Sequence, residues 1–95
     1  MAFVARRRQP RGTTGSNPAV QAAMLEAVEN QLQADEPAEV RLTLRRLVDS
    51  GMSDRQARLY IAMALLFEMN EVLRTQAPFD EGRYVASLKR LPLLS

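Results

Sequence analysis

The sequence predicts an all-α domain of four helices with one long central helix, preceded by an extended basic N-terminal arm. Apolar residues recur at helical spacing in four segments. Capping residues, prolines and a glycine separate those segments, and no segment alternates apolar and polar residues as a strand does. Hydrophobic residues make up 46% of the 95 residues and aromatic residues only 5%, so we expect a core built from Leu, Val, Ala and Met.

The predicted arm spans residues 1–16, and the predicted helical domain spans residues 17–95. The arm carries no acidic residue, and its Pro, Gly, Thr and Ser residues favour an extended chain. It holds four of the thirteen basic residues, so residues 17–95 hold nine bases and all eleven acids, a net charge of −2. Such an arm suits contact with phosphates, with an acidic partner or with a membrane surface, and otherwise it is a solubilising tail. Its arginines are Arg6, Arg7, Arg8 and Arg11.

The first two helices are predicted over residues 18–34 and 37–50. Asn17 is a good N-cap, because its side chain accepts a hydrogen bond from a free helical N–H, and Pro18 suits the first helical position. Gly51 ends the second helix, because glycine adopts the left-handed conformation without a Cβ clash. The residues predicted to face the core are Val20, Met24, Val28 and Leu32, then Val40, Leu44, Leu47 and Val48.

The third helix is predicted over residues 54–76, a length of roughly 35 Å. Ser53 and Gln56 have the spacing of a capping box, and the next helix breaker is Pro78. Residues 59–67 are apolar on every face, and a helix that is apolar all round is buried all round. We expect three neighbouring helices to leave part of it uncovered, and we expect that part to meet a second copy of the chain. The predicted self-association residues are Leu59, Ala62, Met63, Leu66 and Phe67.

A short fourth helix is predicted over residues 81–91, with Asp80 as its cap and Pro92 ending it. The apolar residues after Pro92 are expected to pack on the domain or on a partner subunit. The inward-facing residues of this helix are Tyr84, Val85, Leu88 and Leu91.

Composition excludes most enzyme classes. The chain has no Cys, which removes disulfides, thiolate nucleophiles and cysteine–zinc sites, and no His, which removes the commonest general base and metal ligand. No serine has a His or a near Lys as a partner, no tyrosine has an adjacent base with a suitable pKa, and no glycine-rich phosphate loop is present. We therefore expect a non-enzymatic protein without a cofactor. No secretory signal and no membrane-spanning run are present, so we expect a cytoplasmic protein.

Four glutamates form two pairs at i, i+3 spacing, one pair on each of two helices: Glu26 with Glu29, and Glu68 with Glu71. If those helices face each other, the four carboxylates could gather around hard cations such as Mg²⁺. Solvated faces with ion pairs are the simpler interpretation, for instance Glu71 with Arg74. We therefore predict no metal site.

Residues 47–57 resemble the turn of a helix-turn-helix, with apolar residues, a glycine and then a serine before the next helix. Arg55 and Arg58 would then lie near a nucleic-acid groove. The following helix, however, is too long and too apolar to be a free recognition helix, and similar junctions join ordinary antiparallel helices.

From about Asn17 to Leu94 the chain resembles a family of small bacterial all-helical proteins known only as a domain of unknown function. The more specific matching motifs are 78-PFDxxxYxxxL-88 and 91-LPxL-94. The others include 17-NP, 29-ENQ, 36-EPAEV and 57-AxxxI. Relatives carry histidines in the first and third helices. The resemblance implies that any site built on them is absent here, because those places hold Gln21, Leu25, Arg55 and Leu59. It supports the all-α fold and implies no activity.

The function predicted from the sequence is a non-enzymatic helical interaction module that self-associates, as a homodimer or other homo-oligomer, and acts as an adaptor or as a subunit of a larger assembly. The alternative is a nucleic-acid-binding protein or small regulator. It would use the arm arginines on phosphates, with Arg55 and Arg58 at the helix junction.

Overall fold

A computed structural model describes residues 17–92 and places them in four α-helices. These are α1 (Pro18–Ala34), α2 (Ala38–Asp49), α3 (Asp54–Thr75) and α4 (Glu81–Arg90). No strand occurs within residues 17–92. The all-α class and the four-helix architecture with a long third helix are therefore confirmed. The predicted arm, residues 1–16, and the last residues, 93–95, lie outside the described residues.

Three helices begin at capping residues that the sequence predicts. The side chain of Asn17 accepts a hydrogen bond of 2.9 Å from the backbone N–H of Ala19. The Ser53 hydroxyl accepts one of 3.0 Å from the N–H of Gln56, and Asp80 caps α4 in the same way. Each cap satisfies an N–H that has no partner inside its helix, which fixes where the helix starts.

The bounds of the helices differ from the predictions by one residue at four places, one of which is the end of α2, at Asp49 rather than at residue 50. Pro37 precedes α2 rather than opening it, because its ψ of 153° is extended, not helical. Gln76 has a φ of 58° in the left-handed region, so α3 stops at Thr75, and α4 stops one residue before Leu91. Gly51, with a φ of 116°, lies in the turn after α2, where the sequence places it. The peptide bonds preceding Pro37 and Pro92 are cis.

Helix α3 lies at the centre of the bundle and packs against α1, α2 and α4. Three small residues, Ala57, Ala62 and Ala64, are buried on it and allow the neighbouring helices to come close. The remaining core side chains come from all four helices and from Leu91, which directly follows α4: Val28, Leu32, Val40, Leu47, Ile61, Leu65, Tyr84, Leu88 and Leu91. Two residues predicted to face the core, Val20 and Val48, are instead more than a third exposed. For Val20 the reason is that the first residues of α1, 18–23, all lie open to solvent.

Polar contacts hold α4 in place. The buried Tyr84 hydroxyl donates a hydrogen bond of 2.8 Å to the side-chain oxygen of Gln31 on α1. The Arg46 guanidinium on α2 donates to the carbonyl oxygens of Leu88 and Leu91 at 2.9 and 2.8 Å. Because the last carbonyls of a helix lack partners within it, Arg46 acts as a cap supplied by another helix.

Candidate interaction surface

The five predicted self-association residues are not equally accessible. Met63 and Phe67 are 53% and 51% exposed, which is high for large apolar side chains in the middle of a helix. Leu59 and Leu66 are half-buried. Ala62 is buried and packs within the core cluster, so its contribution to any interface is limited to the floor of a groove. The apolar stretch 59–67 therefore divides into a part that the bundle covers and a part that it leaves open.

The open part of α3 forms one wall of a shallow apolar groove, and α1 forms the other. Gln21 and Met24 line the groove from α1, and Leu59, Ala62, Met63 and Leu66 line it from α3. Its volume is about 60 Å³, whereas pockets for small molecules usually enclose about 300–1,000 Å³. The groove therefore has room for an inserted side chain and not for a metabolite. We call this surface, together with Phe67, the α1/α3 face.

Arg58, one of the two arginines predicted near a nucleic-acid groove, is bound within the bundle. Its guanidinium forms an ion pair of 2.5 Å with Glu29 on α1 and another of 2.7 Å with Asp54, one turn earlier on α3. The hydrogen bond from Arg58 lowers the pKa of Glu29, and that of Arg58 is raised by the same bond. The charge of Arg58 is thus largely compensated by two carboxylates.

Arg55 is exposed at the start of α3 and forms no ion pair within residues 17–92. The helix-turn-helix-like junction leads into a helix that packs on three neighbours, as its length and apolar content suggested. The other predicted contacts, Arg6, Arg7, Arg8 and Arg11, lie outside the described residues.

The four glutamates do not converge. Glu29 pairs with Arg58, Glu71 pairs with Arg74 at 2.6 Å, and Glu26 is exposed. Glu68 is buried, and its carboxylate lies 3.4 Å from Nε of Arg83 on α4. Within residues 17–92 no three acidic side chains are grouped closely enough to hold a metal ion.

The sequence reasoning missed a second surface, on α2 and α4. Leu42 on α2 is 63% exposed and lies beside Arg46 and Lys89. The available signal was that Leu42 falls outside the apolar set assigned to this helix, Val40, Leu44, Leu47 and Val48. An apolar residue on the polar side of an amphipathic helix is expected at the surface rather than in the core.

Comparisons with protein-family models, with curated proteins and with solved structures find no match for this chain. Among the described residues, no helix is both long enough and apolar enough to cross a bilayer.

Proposed function

We propose that the protein is a non-enzymatic, cytoplasmic helical module that forms a homodimer through the α1/α3 face and acts as an adaptor or as a subunit of a larger assembly. One observation carries the proposal: Met63 and Phe67, one turn apart on α3, expose about half of their apolar side chains beside an apolar groove. Contiguous exposed apolar surface of this kind marks interaction sites in soluble proteins.

The shape of the α1/α3 face supports a second copy as its occupant. The groove accepts one side chain, and the residues available to fill it from a second copy are the protruding Met63 and Phe67 of the same face. In a two-fold dimer the same patch supplies both the groove and the inserted side chain. Methionine suits this role because its flexible thioether adapts to irregular gaps.

Gel filtration with light scattering tests the proposal. We expect the wild-type chain at tens of micromolar to have twice the 10.7 kDa mass of the monomer. We expect the double variant Met63→Glu/Phe67→Glu to elute as a folded monomer, because both side chains are already half exposed and the charges oppose burial at an interface. A wild-type monomer at these concentrations would refute the proposal.

Leu73→Glu is the matched control, because Leu73 is 75% exposed on the same helix but does not line the groove. We expect it to leave the dimer intact. If it separates the dimer as effectively as the double variant, the interface lies elsewhere on α3. Circular dichroism of each variant shows whether the helices are retained.

Nucleic-acid binding remains the alternative, and of the two arginines predicted at the helix junction Arg55 favours it, since it is exposed and forms no ion pair within residues 17–92. Fluorescence anisotropy with labelled duplex DNA and structured RNA tests it in the full chain. Salt-sensitive binding that is lost when the four arm arginines become glutamine would assign the contact to the arm. Binding lost in Arg55→Gln instead would assign it to the junction.

A further inference from the structure

Leu42 is the most exposed apolar side chain of α2, at 63%. It lines a groove between α2 and α4, together with Glu39, Thr43 and Arg46 from α2 and Lys89 from α4. Thr43 is buried and forms the floor. With a volume of about 190 Å³ the groove is larger than the one on the α1/α3 face and still smaller than a typical metabolite pocket. It is suited to side chains from another protein.

Positive charge surrounds this groove. The hydrogen bonds of Arg46 to two carbonyl oxygens fix its guanidinium in place without a compensating carboxylate. Lys89 lies on the opposite wall, and Arg45 follows Leu42 by one turn of α2; neither forms an ion pair within residues 17–92. Glu39 is the single acidic residue of the lining. An exposed leucine therefore lies among three cations and one carboxylate.

We infer that the α2/α4 groove binds an acidic amphipathic helix of a partner protein, with an apolar side chain against Leu42 and carboxylates beside Lys89, Arg46 and Arg45. The apolar centre of the groove is complementary to an apolar side chain, and its cationic rim is complementary to carboxylates. An amphipathic helix carries both kinds of side chain at i, i+3 and i+4 spacing. A phosphate backbone would match the cations and would leave the leucine without an apolar contact. The complementary charges guide association and orient the helix.

Anisotropy with designed probes tests this inference. The first probe is a fluorescein-labelled synthetic helix with a Leu and Phe stripe flanked by Glu. In the second probe each Glu is Gln, and the third is a labelled DNA duplex. We expect the acidic helix to bind with a dissociation constant below about 100 μM and at least about tenfold more tightly than the Gln helix at low salt. Binding of the acidic helix that is no tighter than that of the Gln helix, or no binding at about 1 mM protein, overturns the inference.

Two variants locate the contact. We expect Leu42→Glu to weaken binding of the acidic helix at least about tenfold, and Lys89→Glu to weaken it about threefold to tenfold. Arg55→Glu makes the same change of net charge elsewhere, and we expect it to leave binding nearly unchanged. If Lys89→Glu and Arg55→Glu weaken binding of the acidic helix equally, the loss comes from net charge alone, and the proposed site is overturned.

The remaining outcomes are also decisive. DNA binding as tight as that of the acidic helix, weakened by Lys89→Glu and unaffected by Leu42→Glu, would identify the groove as a phosphate-binding surface and overturn the inference. To separate this test from self-association, the probes are also titrated into Met63→Glu/Phe67→Glu. We expect that variant to bind the acidic helix as the wild type does, because the α1/α3 face shares no lining residue with the α2/α4 groove. If that variant loses binding, the probe binds to the α1/α3 face rather than in the α2/α4 groove, and the inference is overturned.

Discussion

Replacing Tyr84 with phenylalanine removes one hydroxyl from the core. That hydroxyl is fully buried and donates a hydrogen bond of 2.8 Å to Gln31. The net contribution of a hydrogen bond of this kind to the free energy of unfolding is about 1 kcal/mol. Near pH 8, where tyrosine is neutral in both the folded and the unfolded chain, we expect Tyr84→Phe to be less stable than the wild type by about 1 kcal/mol.

At alkaline pH the comparison changes, because burial raises the pKa of Tyr84 well above its ordinary value. Above about pH 10 the hydroxyl ionises in the unfolded chain while it stays protonated in the folded one. The unfolded state then binds fewer protons than the folded state, so the wild type loses stability as the pH rises. At about pH 11, one unit above the unfolded pKa, the loss is about 1.4 kcal/mol. The variant Tyr84→Phe has no such loss, so at this pH its free energy of unfolding should no longer be lower than that of the wild type.

Urea unfolding followed by circular dichroism measures this difference, with both proteins at about pH 8 and about pH 11. All other titrating groups are common to the two proteins, so their contributions cancel in the difference. If the gap between the two free energies of unfolding is the same at both pH values, then the Tyr84 hydroxyl ionises equally well in the folded state, and the reasoning from its burial is refuted.

Two further predictions concern α2, and urea unfolding at neutral pH measures both. Arg46→Ala should lower the free energy of unfolding by about 1–2 kcal/mol, because it removes the cap on the end of α4. Replacing the neighbouring residue, in Arg45→Ala, should change that free energy by less than about 0.5 kcal/mol. Equal effects of the two substitutions would contradict the role of Arg46 as a cap. Leu47→Ala should lower it by about 2–5 kcal/mol through the cavity it leaves in the core. Leu42→Ala, on the exposed side of the same helix, should change it by less than about 0.5 kcal/mol, and a large loss there would mean that Leu42 is part of the core.

Local rules were sufficient to predict the existence of the four helices and the starts of three of them. The caps at Asn17, Ser53 and Asp80 depend on residues two or three positions apart, so the sequence places the helix starts closely. The ends were less predictable because the residue after α3, Gln76, takes a left-handed conformation that neither glycine nor asparagine signals.

Tertiary contacts account for what the sequence did not predict. Arg46 reaches carbonyls more than forty residues away, and no local pattern distinguishes it from Arg45. The spacing of apolar residues also cannot show which side of α3 faces outward in residues 59–67, because a helix that packs on three neighbours is apolar on every side. Only the packing shows that Met63 and Phe67 face outward while Ile61 and Leu65 do not. The missed α2/α4 groove joins residues from two helices distant in the chain.

The three alanines buried on α3 also bear on how this chain can change over evolutionary time. Each of them is at most 3% exposed. A larger side chain at Ala57 or Ala64 must push a neighbouring helix outward, and one at Ala62 would fill the groove between α1 and α3. Overpacking of that kind costs about 1–3 kcal/mol, a substantial share of the stability of a small domain. We expect descendants of this sequence to keep small residues there and to vary freely at Leu73. The small side chains at these positions thus set the distance between α3 and its neighbours, and that distance is kept for as long as the residues stay small.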